Sequence, residues 1–302
     1  MSALYTSDVL PRVVPVAAGV LGASGLAVAC LPARVATRGE LRRRWLTWAV
    51  AAPVLVGALA LREMGASVLA WLLGLVAVAE YARLVRLGRG ERVVLALGAL
   101  LLPPLAVMEA DGLAHPFDLR TVALLTAAGV LPALLSGDPA RGGERAARTV
   151  FGLLWIPVAL TGLVVLKGTA LAVAVAILVG DAGAWCGGAL LSPLGGTLAR
   201  PPGPLSPSSP VSPEKTSPDK TWAGVLCGGM GVAAGLEAAG AFTVTLWAAV
   251  LAGCVLGGLL VSTIEREAGV RAARAWLPGP GGLLGRTSPL LLSLLPAMVV
   301  TL

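Results

Sequence analysis

Residues 169–186, TALAVAVAILVGDAGAWC, form an apolar run that contains one charged residue, Asp181. The run has the length with which a helix crosses a bilayer, about 20 apolar residues. Comparable apolar runs occupy residues 13–31, 45–61, 67–82, 93–108, 122–135, 149–166, 222–239, 242–262 and 289–302. We therefore predict an all-α fold, a polytopic membrane helix bundle of nine to ten transmembrane helices in a single domain over residues 1–302.

The composition of the chain supports this class. Apolar residues make up 57% of the 302 residues and charged residues only 13%, and the mean hydropathy is +0.86. Soluble domains carry roughly 25% charged residues, so a water-soluble fold is excluded. Disorder is excluded as well, because disordered chains are polar.

The basic residues predict the orientation of the bundle. Most of the 23 lysines and arginines fall in the connections after the first, third, fifth, seventh and ninth predicted helices. Loops rich in Lys and Arg stay on the cytosolic side, so we expect these connections in the cytosol. The net charge of +7 then reflects topology and contact with anionic lipids, and we expect no nucleic-acid partner.

Two of these connections are long. Residues 188–221 contain a Pro- and Ser-rich linker at 195–216, whose composition is typical of a flexible connector. Residues 265–287 are basic and include the glycine-rich stretch PGPGGLLG at 278–285. We expect both to be functional cytosolic loops.

The first long connection ends in SPDKT at residues 217–221, directly before an apolar run. Ser217 suits a helix N-cap and Pro218 the first helical position, which places Lys220 and Thr221 in the first turn. Free N–H groups, a lysine and a hydroxyl at a helix start bind phosphate well. The alternative is a capped helix whose Lys220 lies at the lipid interface.

The glycine-rich connection offers a second anion site. Gly279, Gly281 and Gly282 allow backbone N–H groups to approach an anion closely. The flanking arginines are Arg266, Arg271, Arg274 and Arg286. Such a loop binds a polyphosphate, and its alternative is a basic turn that only follows the charge bias of cytosolic loops.

Asp181 is the most informative single residue. An ionised Asp within a spanning helix costs about 2.5–3.5 kcal/mol on insertion scales, so we expect it to face a cavity, a partner or a metal. It lies near the cytosolic end of its helix, on the side of both long loops. Glu80 and Glu237 lie towards helix ends, where we expect helix packing or headgroup contact.

Glycines four residues apart recur in the eighth and ninth predicted helices, at Gly224/Gly228, Gly231/Gly235 and Gly253/Gly257. This spacing lets helices approach closely. It predicts tight packing of these two helices, either within the chain or in a homodimer.

Several motifs resemble one family. Residues 217–224, SPDKTWAG, resemble the S-P-x-K-T-W-E-G stretch of bacterial phosphatidate cytidylyltransferases, also called CDP-diacylglycerol synthases. Residues 180–185, 265–271 and 277–286 are similar to that family's D-x-G-A-Y, K-R-E-x-G-I-K and I-P-G-H-G-G-x-L-D-R stretches. The resemblance covers about residues 65–302 in order and leaves the helices of residues 1–64 outside.

The resemblance implies a reaction and a set of site residues. The phosphate of phosphatidate attacks the α-phosphorus of CTP and yields CDP-diacylglycerol and pyrophosphate, in a bacterial-type inner (plasma) membrane. Asp181 and Lys220 are the implied catalytic residues, and Mg²⁺ is the implied cofactor, held by Asp181 with Asp219 as a weaker candidate ligand. The implied substrate-binding residues are Ser217, Thr221, Arg266, Arg271, Gly279, Gly281, Gly282 and Arg286. CTP, phosphatidate and anionic lipids are the implied partners.

The chain departs from the family pattern at four acidic positions, where it carries Gly258, Ala272, Gly285 and Ser288. Hard cations bind through carboxylates and substrate phosphates, so the loss of acids weakens the metal site. A second reading therefore stays open. It is a catalytically impaired relative that binds lipid phosphate or nucleotide as a regulator or partner subunit.

Overall fold

The structure is a computed structural model that describes residues 6–30, 38–110, 119–137, 141–191, 221–268 and 282–301. Within these ranges it contains ten α-helices and no β-strand. The helices are α1 Thr6–Cys30, α2 Arg38–Ala60, α3 Arg62–Leu84, α4 Arg89–Ala110, α5 Leu119–Leu135, α6 Gly142–Val165, α7 Gly168–Leu191, α8 Trp222–Ala238, α9 Val244–Glu267 and α10 Leu283–Thr301. Each predicted apolar run falls on one helix, which confirms the all-α class for the described residues.

Seven of the described helices are long and apolar enough to cross a membrane. The three shorter apolar helical segments are Trp45–Ala60, Arg120–Leu135 and Trp222–Ala238. The long apolar helices indicate an integral membrane protein, and the architecture is compatible with a polytopic bundle. The predicted count of nine to ten spans includes the three shorter segments.

The centre of the bundle is formed by α6 and α7. Residues 155–164 of α6 and residues 170–178 of α7 are buried without a break. A helix that is apolar and buried on all sides must be surrounded by other helices. Asp181 follows this buried stretch of α7 within one turn, so its carboxylate lies at the edge of the core.

The helices alternate in direction, and contacts between distant parts of the chain show which ends meet. Trp45, near the start of α2, donates to the carbonyl of Leu21 on α1 at 2.9 Å. Arg148, near the start of α6, donates to the carbonyl of Val85, just after α3, at 3.2 Å. We call this end of the bundle the basic end. The odd-numbered helices end there and the even-numbered helices begin there.

The glycines of α8 and α9 pack against helices of the same chain. A methyl group at Gly231 would lie 2.7 Å from the carbonyl oxygen of Val179 on α7, and one at Gly235 would lie 2.6 Å from the Cα of Ala176. Gly253 on α9 lies in the same way against Ser293 on α10. Tight packing of α8 and α9 is therefore satisfied within the chain. The homodimer stays a prediction, and it would need a different face of these helices.

Candidate functional site at the basic end

Glu80, in the last turns of α3, caps the first turn of α10. Its Oε1 accepts the backbone N–H of Leu283 at 3.0 Å, and its Oε2 accepts the N–H of Leu284 at 2.7 Å. The first N–H groups of a helix have no partner within the helix, and a negative charge is favourable at that end. The carboxylate supplies both the acceptors and the charge.

This cap moves the start of the last helix. We predicted a connection over 265–287 and a final span from residue 289. The structure instead continues α9 to Glu267 and begins α10 at Leu283, so Gly285 and Arg286 are helical. The prediction of a loop at Gly285 and Arg286 was wrong, because the partner that satisfies the helix start comes from α3 and is invisible in the local sequence.

Gly282 lies directly against this carboxylate. A methyl group at residue 282 would lie 2.5 Å from Oε1 of Glu80 and 2.6 Å from Oε2, well inside van der Waals contact. The glycine-rich sequence predicts an anion-binding backbone at Gly282. The anion that the structure places there is the side chain of Glu80, and the neighbouring N–H groups of Leu283 and Leu284 donate to it.

The end of α9 is held by an ion pair with a residue of α6. Arg148 Nη2 pairs with Glu267 at 2.6 Å and with Glu144, one turn earlier on α6, at 2.7 Å. Tyr81, the neighbour of Glu80, donates its hydroxyl to the carbonyl of Arg148 at 2.8 Å. Adjacent residues of α3 therefore contact the start of α10 and the residue that holds the end of α9.

Asp181 is half-buried and accepts a hydrogen bond from a tryptophan that the sequence analysis missed. Trp48 Nε1 on α2 donates to Oδ2 of Asp181 at 3.1 Å. The expectation that Asp181 faces a partner holds for this indole, which no local motif connects to residue 181.

Thr221 is the N-cap of α8. Its backbone is extended, with φ −104° and ψ 157°, and its side-chain oxygen accepts the N–H of Gly224 at 3.0 Å. We predicted Thr221 inside the first helical turn, and the structure places it one residue before the helix. Its hydroxyl oxygen satisfies one of the helix's free N–H groups, as the N-cap residue usually does.

The described residues include five of the predicted site residues. Arg266 is exposed in the last turn of α9, and Arg286 is half-buried in the first turns of α10. Asp181, Thr221 and Gly282 lie as given above. The predicted residues Ser217, Asp219, Lys220, Arg271, Gly279 and Gly281, and the linker 195–216, lie outside the described residues.

The start of α10, where Gly282 and Arg286 lie, is near the end of α9, which carries Arg266. A methyl group at Gly285 would lie 3.8 Å from Oε1 of Glu265, the neighbour of Arg266. Asp181 lies deeper, because its neighbour Gly180 packs against the Gly228 carbonyl of α8. Gly228 follows Thr221 by seven residues, or roughly 10 Å along the helix at 1.5 Å per residue.

The sequence profile of the cytidylyltransferase family matches residues 42–302, which is most of the chain. The chain belongs to the cytidylyltransferase family. A search of curated proteins finds no match. For this cytidylyltransferase-family protein the match supports a transferase that uses CTP. The match begins at residue 42, so most of α2, including Trp48, lies within the family region, whereas we expected residues 1–64 to lie outside it.

A metal site is not assembled by the described part of this cytidylyltransferase-family protein. No group of three His, Cys, Asp or Glu side chains comes together among those residues. Asp181, the main predicted ligand, has an indole N–H as a neighbour, and an N–H donor does not coordinate a cation. Asp181 alone supplies too few oxygen ligands for Mg²⁺, so the other ligands would have to come from Asp219 and from substrate phosphates.

Proposed function

We propose that this protein is a membrane-embedded CTP:phosphatidate cytidylyltransferase that makes CDP-diacylglycerol and pyrophosphate for phospholipid biosynthesis. The observation that carries the proposal is the family match over residues 42–302, together with the seven helices suited to a bilayer in the described part of the chain. A CTP-using transferase whose helices lie in the membrane is suited to an acceptor substrate that also resides in the membrane. We place it in a bacterial-type inner membrane with the basic end in the cytosol, where CTP is present.

The reaction needs positioning and charge neutralisation more than covalent chemistry. An oxygen of the phosphatidate phosphate forms a bond to the α-phosphorus of CTP. The bond from the α-phosphorus to the bridging oxygen breaks, and pyrophosphate leaves with that electron pair. Negative charge on both substrates favours guanidinium groups held in fixed positions.

Two helix ends that are held in place by side chains of other helices carry arginines in such fixed positions. Glu80 fixes the start of α10, one turn before Arg286, and Arg148 fixes Glu267, the neighbour of Arg266. In the proposal Arg266 and Arg286 bind substrate phosphate together with Arg271, Gly279 and Gly281, whereas Gly282 lies against the carboxylate of Glu80. Ser217 and Thr221 bind phosphate at the start of α8.

Asp181 and Lys220 are the proposed catalytic residues. Lys220 precedes the N-cap of α8, where a cation and a helix start both favour phosphate. Asp181 is the proposed carboxylate ligand of Mg²⁺, with Asp219 as a second one. The proposal of Mg²⁺ rests on the family resemblance, and the remaining ligands would be substrate phosphates.

One observation favours the second function, a catalytically impaired relative that binds lipid phosphate or nucleotide. The described residues hold no acidic cluster, and four acidic positions of the family carry Gly258, Ala272, Gly285 and Ser288. Loss of about 1.36 kcal/mol of transition-state stabilisation lowers a rate tenfold. An assay must therefore separate binding from turnover.

The deciding experiment measures CDP-diacylglycerol formed from labelled CTP, phosphatidate and Mg²⁺ by the purified full chain in lipid nanodiscs. Asp181→Asn removes the charge and keeps an acceptor for Trp48. We expect it to lower kcat by about 100-fold, which corresponds to a loss of about 2.7 kcal/mol of transition-state stabilisation. Glu237→Gln is the matched control, because Glu237 is exposed near the far end of α8. It should leave the rate unchanged.

The outcomes separate the two functions. Turnover that Asp181→Asn abolishes and Glu237→Gln preserves supports the enzyme. Absence of turnover at every Mg²⁺ concentration, with phosphatidate still bound, supports the second function. Absence of both turnover and phosphatidate binding contradicts both.

A further inference from the structure

A groove runs between α3 and α4 at the basic end. Its walls include Leu75, Val78 and Ala79 of α3 and Ala96 of α4, and Arg83 and Arg92 line it as well. Its volume is about 240 Å³. Sites for compact small molecules hold about 300–1,000 Å³, so this groove is small for a nucleotide. Its apolar walls suit a hydrocarbon chain.

The groove covers part of the depth of one leaflet. At its inner end the helices touch, because a methyl group at Gly74 would lie 3.2 Å from Cβ of Ala99. The seven residues from Arg92 to Ala99 span roughly 10 Å of helix. Half of the hydrocarbon core is about 15 Å thick, so an acyl chain can lie along the groove from the basic end inwards.

The open end of the groove is rich in positive charge. The arginines there are Arg83, Arg86, Arg89 and Arg92. Among the described residues none of the four forms an ion pair, and Arg92 only donates from Nε to the carbonyl of Leu87 at 2.9 Å. Glu91, the acid of this turn, pairs with Arg145 instead. The open end therefore attracts an anion.

We propose that the groove binds one acyl chain of an anionic phospholipid, with the lipid phosphate between Arg83 and Arg92. The apolar walls of the groove suit the acyl chain, and the two guanidinium groups suit the phosphate. The groove therefore complements both parts of a phospholipid. Basic pockets between helices at a membrane surface favour anionic headgroups in this way. Neither Asp181 nor any of the described residues proposed to bind substrate (Thr221, Arg266 and Arg286) lines this groove.

The experiment measures thermal unfolding of the full chain in mild detergent during titration with phosphatidylglycerol, which is not the proposed acceptor. The double variant Arg83→Ala/Arg92→Ala removes the phosphate contacts, and Ala79→Phe fills the groove from an exposed position. Arg89→Ala is the matched control, because it removes one arginine of the same end that does not line the groove. We expect half-saturation at about tenfold or higher lipid concentration in the double variant and in Ala79→Phe, and no change in Arg89→Ala.

Two further ligands identify the source of the effect. Diacylglycerol with the same chains tests the groove without the phosphate, and glycerol 3-phosphate tests the phosphate without the chains. The proposal predicts that neither stabilises the wild type as phosphatidylglycerol does. Equal stabilisation by either ligand, or an unchanged response of both groove variants, overturns it. These outcomes are independent of catalysis, since no turnover is measured.

Discussion

Glu80 Oε2 accepts the backbone N–H of Leu284 at 2.7 Å, which ties the end of α3 to the start of the last helix. The two residues are 204 positions apart in the chain. Because the same carboxylate also accepts the N–H of Leu283, it replaces the N-cap residue that a helix normally carries next to it in sequence.

The cap predicts a loss of stability on truncation. Glu80→Ala should lower the free energy of unfolding by about 1–2 kcal/mol, since loss of an N-cap costs that much. Glu80→Gln keeps one acceptor oxygen and should lose less. Denaturation in mixed micelles measures both, and Glu237→Ala is the control for removal of an exposed acid. Equal stability of Glu80→Ala and Glu237→Ala would contradict the cap.

Gly282 should be coupled to Glu80. Gly282→Ala places a methyl group against the carboxylate and should destabilise the protein by about 1–3 kcal/mol, the usual cost of overpacking. In the Glu80→Ala background the same substitution should cost much less, because the group it meets is gone. A double-mutant cycle on unfolding free energies tests this, and strictly additive effects would show that the two residues act separately.

The close contact between α7 and α8 predicts that the stability of the protein is sensitive to substitution of the glycines at that contact. Gly231→Ala and Gly235→Ala each push a methyl group into the backbone of α7 and should lower stability by about 1–3 kcal/mol. Gly258→Ala is the matched control in α9, since nothing lies within 4 Å of a methyl group there. It should be neutral or slightly stabilising, because Ala is the better helix former. A neutral Gly231→Ala would argue against this close contact.

The pair of Arg145 and the buried Glu91 should matter more than the pair of Arg148 and Glu267. The Glu91 side chain is 1% exposed and that of Glu267 is 64% exposed. Arg145→Ala leaves a buried carboxylate without its cation and should cost about 3–5 kcal/mol. Glu267→Ala should cost about 0–1 kcal/mol, as exposed pairs do. Unfolding measurements on both variants check the order. Glu91→Gln in the Arg145→Ala background should recover part of the loss.

Trp48 should stabilise the carboxylate of Asp181. Trp48→Phe removes the indole N–H and should cost about 1.5–3 kcal/mol, the range for a hydrogen bond to a charged group. The cost should shrink when Asp181 is already Asn. Trp247→Phe is the comparison, because its N–H donates to the neutral carbonyl of Gly229. A larger loss for Trp247→Phe than for Trp48→Phe would contradict the role of charge.

The helices could be predicted from the sequence because the property that makes a spanning helix lies within one short segment of the chain. A spanning helix needs a continuous apolar run, and runs such as residues 169–186 show it directly. The start of α10 could not be predicted in this way. Its first turn contains Gly285, which disfavours a helix, and the carboxylate that stabilises this turn lies on another helix.

For the candidate site, too, some features could be predicted from the sequence and others could not. The residue types of the site, Asp181, Thr221, Arg266 and Arg286, follow from motifs that lie within short stretches. The residues that contact them do not follow from such motifs. Trp48 lies 133 positions from Asp181, and Glu80 lies 203 positions from Leu283. An acid near a helix end has the same local sequence whether it meets headgroups or another helix.

The sequence alone therefore determined the all-α class, the apolar helices and the family, because each depends on residues adjacent in the chain. Only the tertiary structure decided which carboxylate caps α10, which indole contacts Asp181, and that the glycines of α8 face α7. Those contacts depend on how the helices pack, and packing is set by the fit of whole surfaces rather than by any one segment.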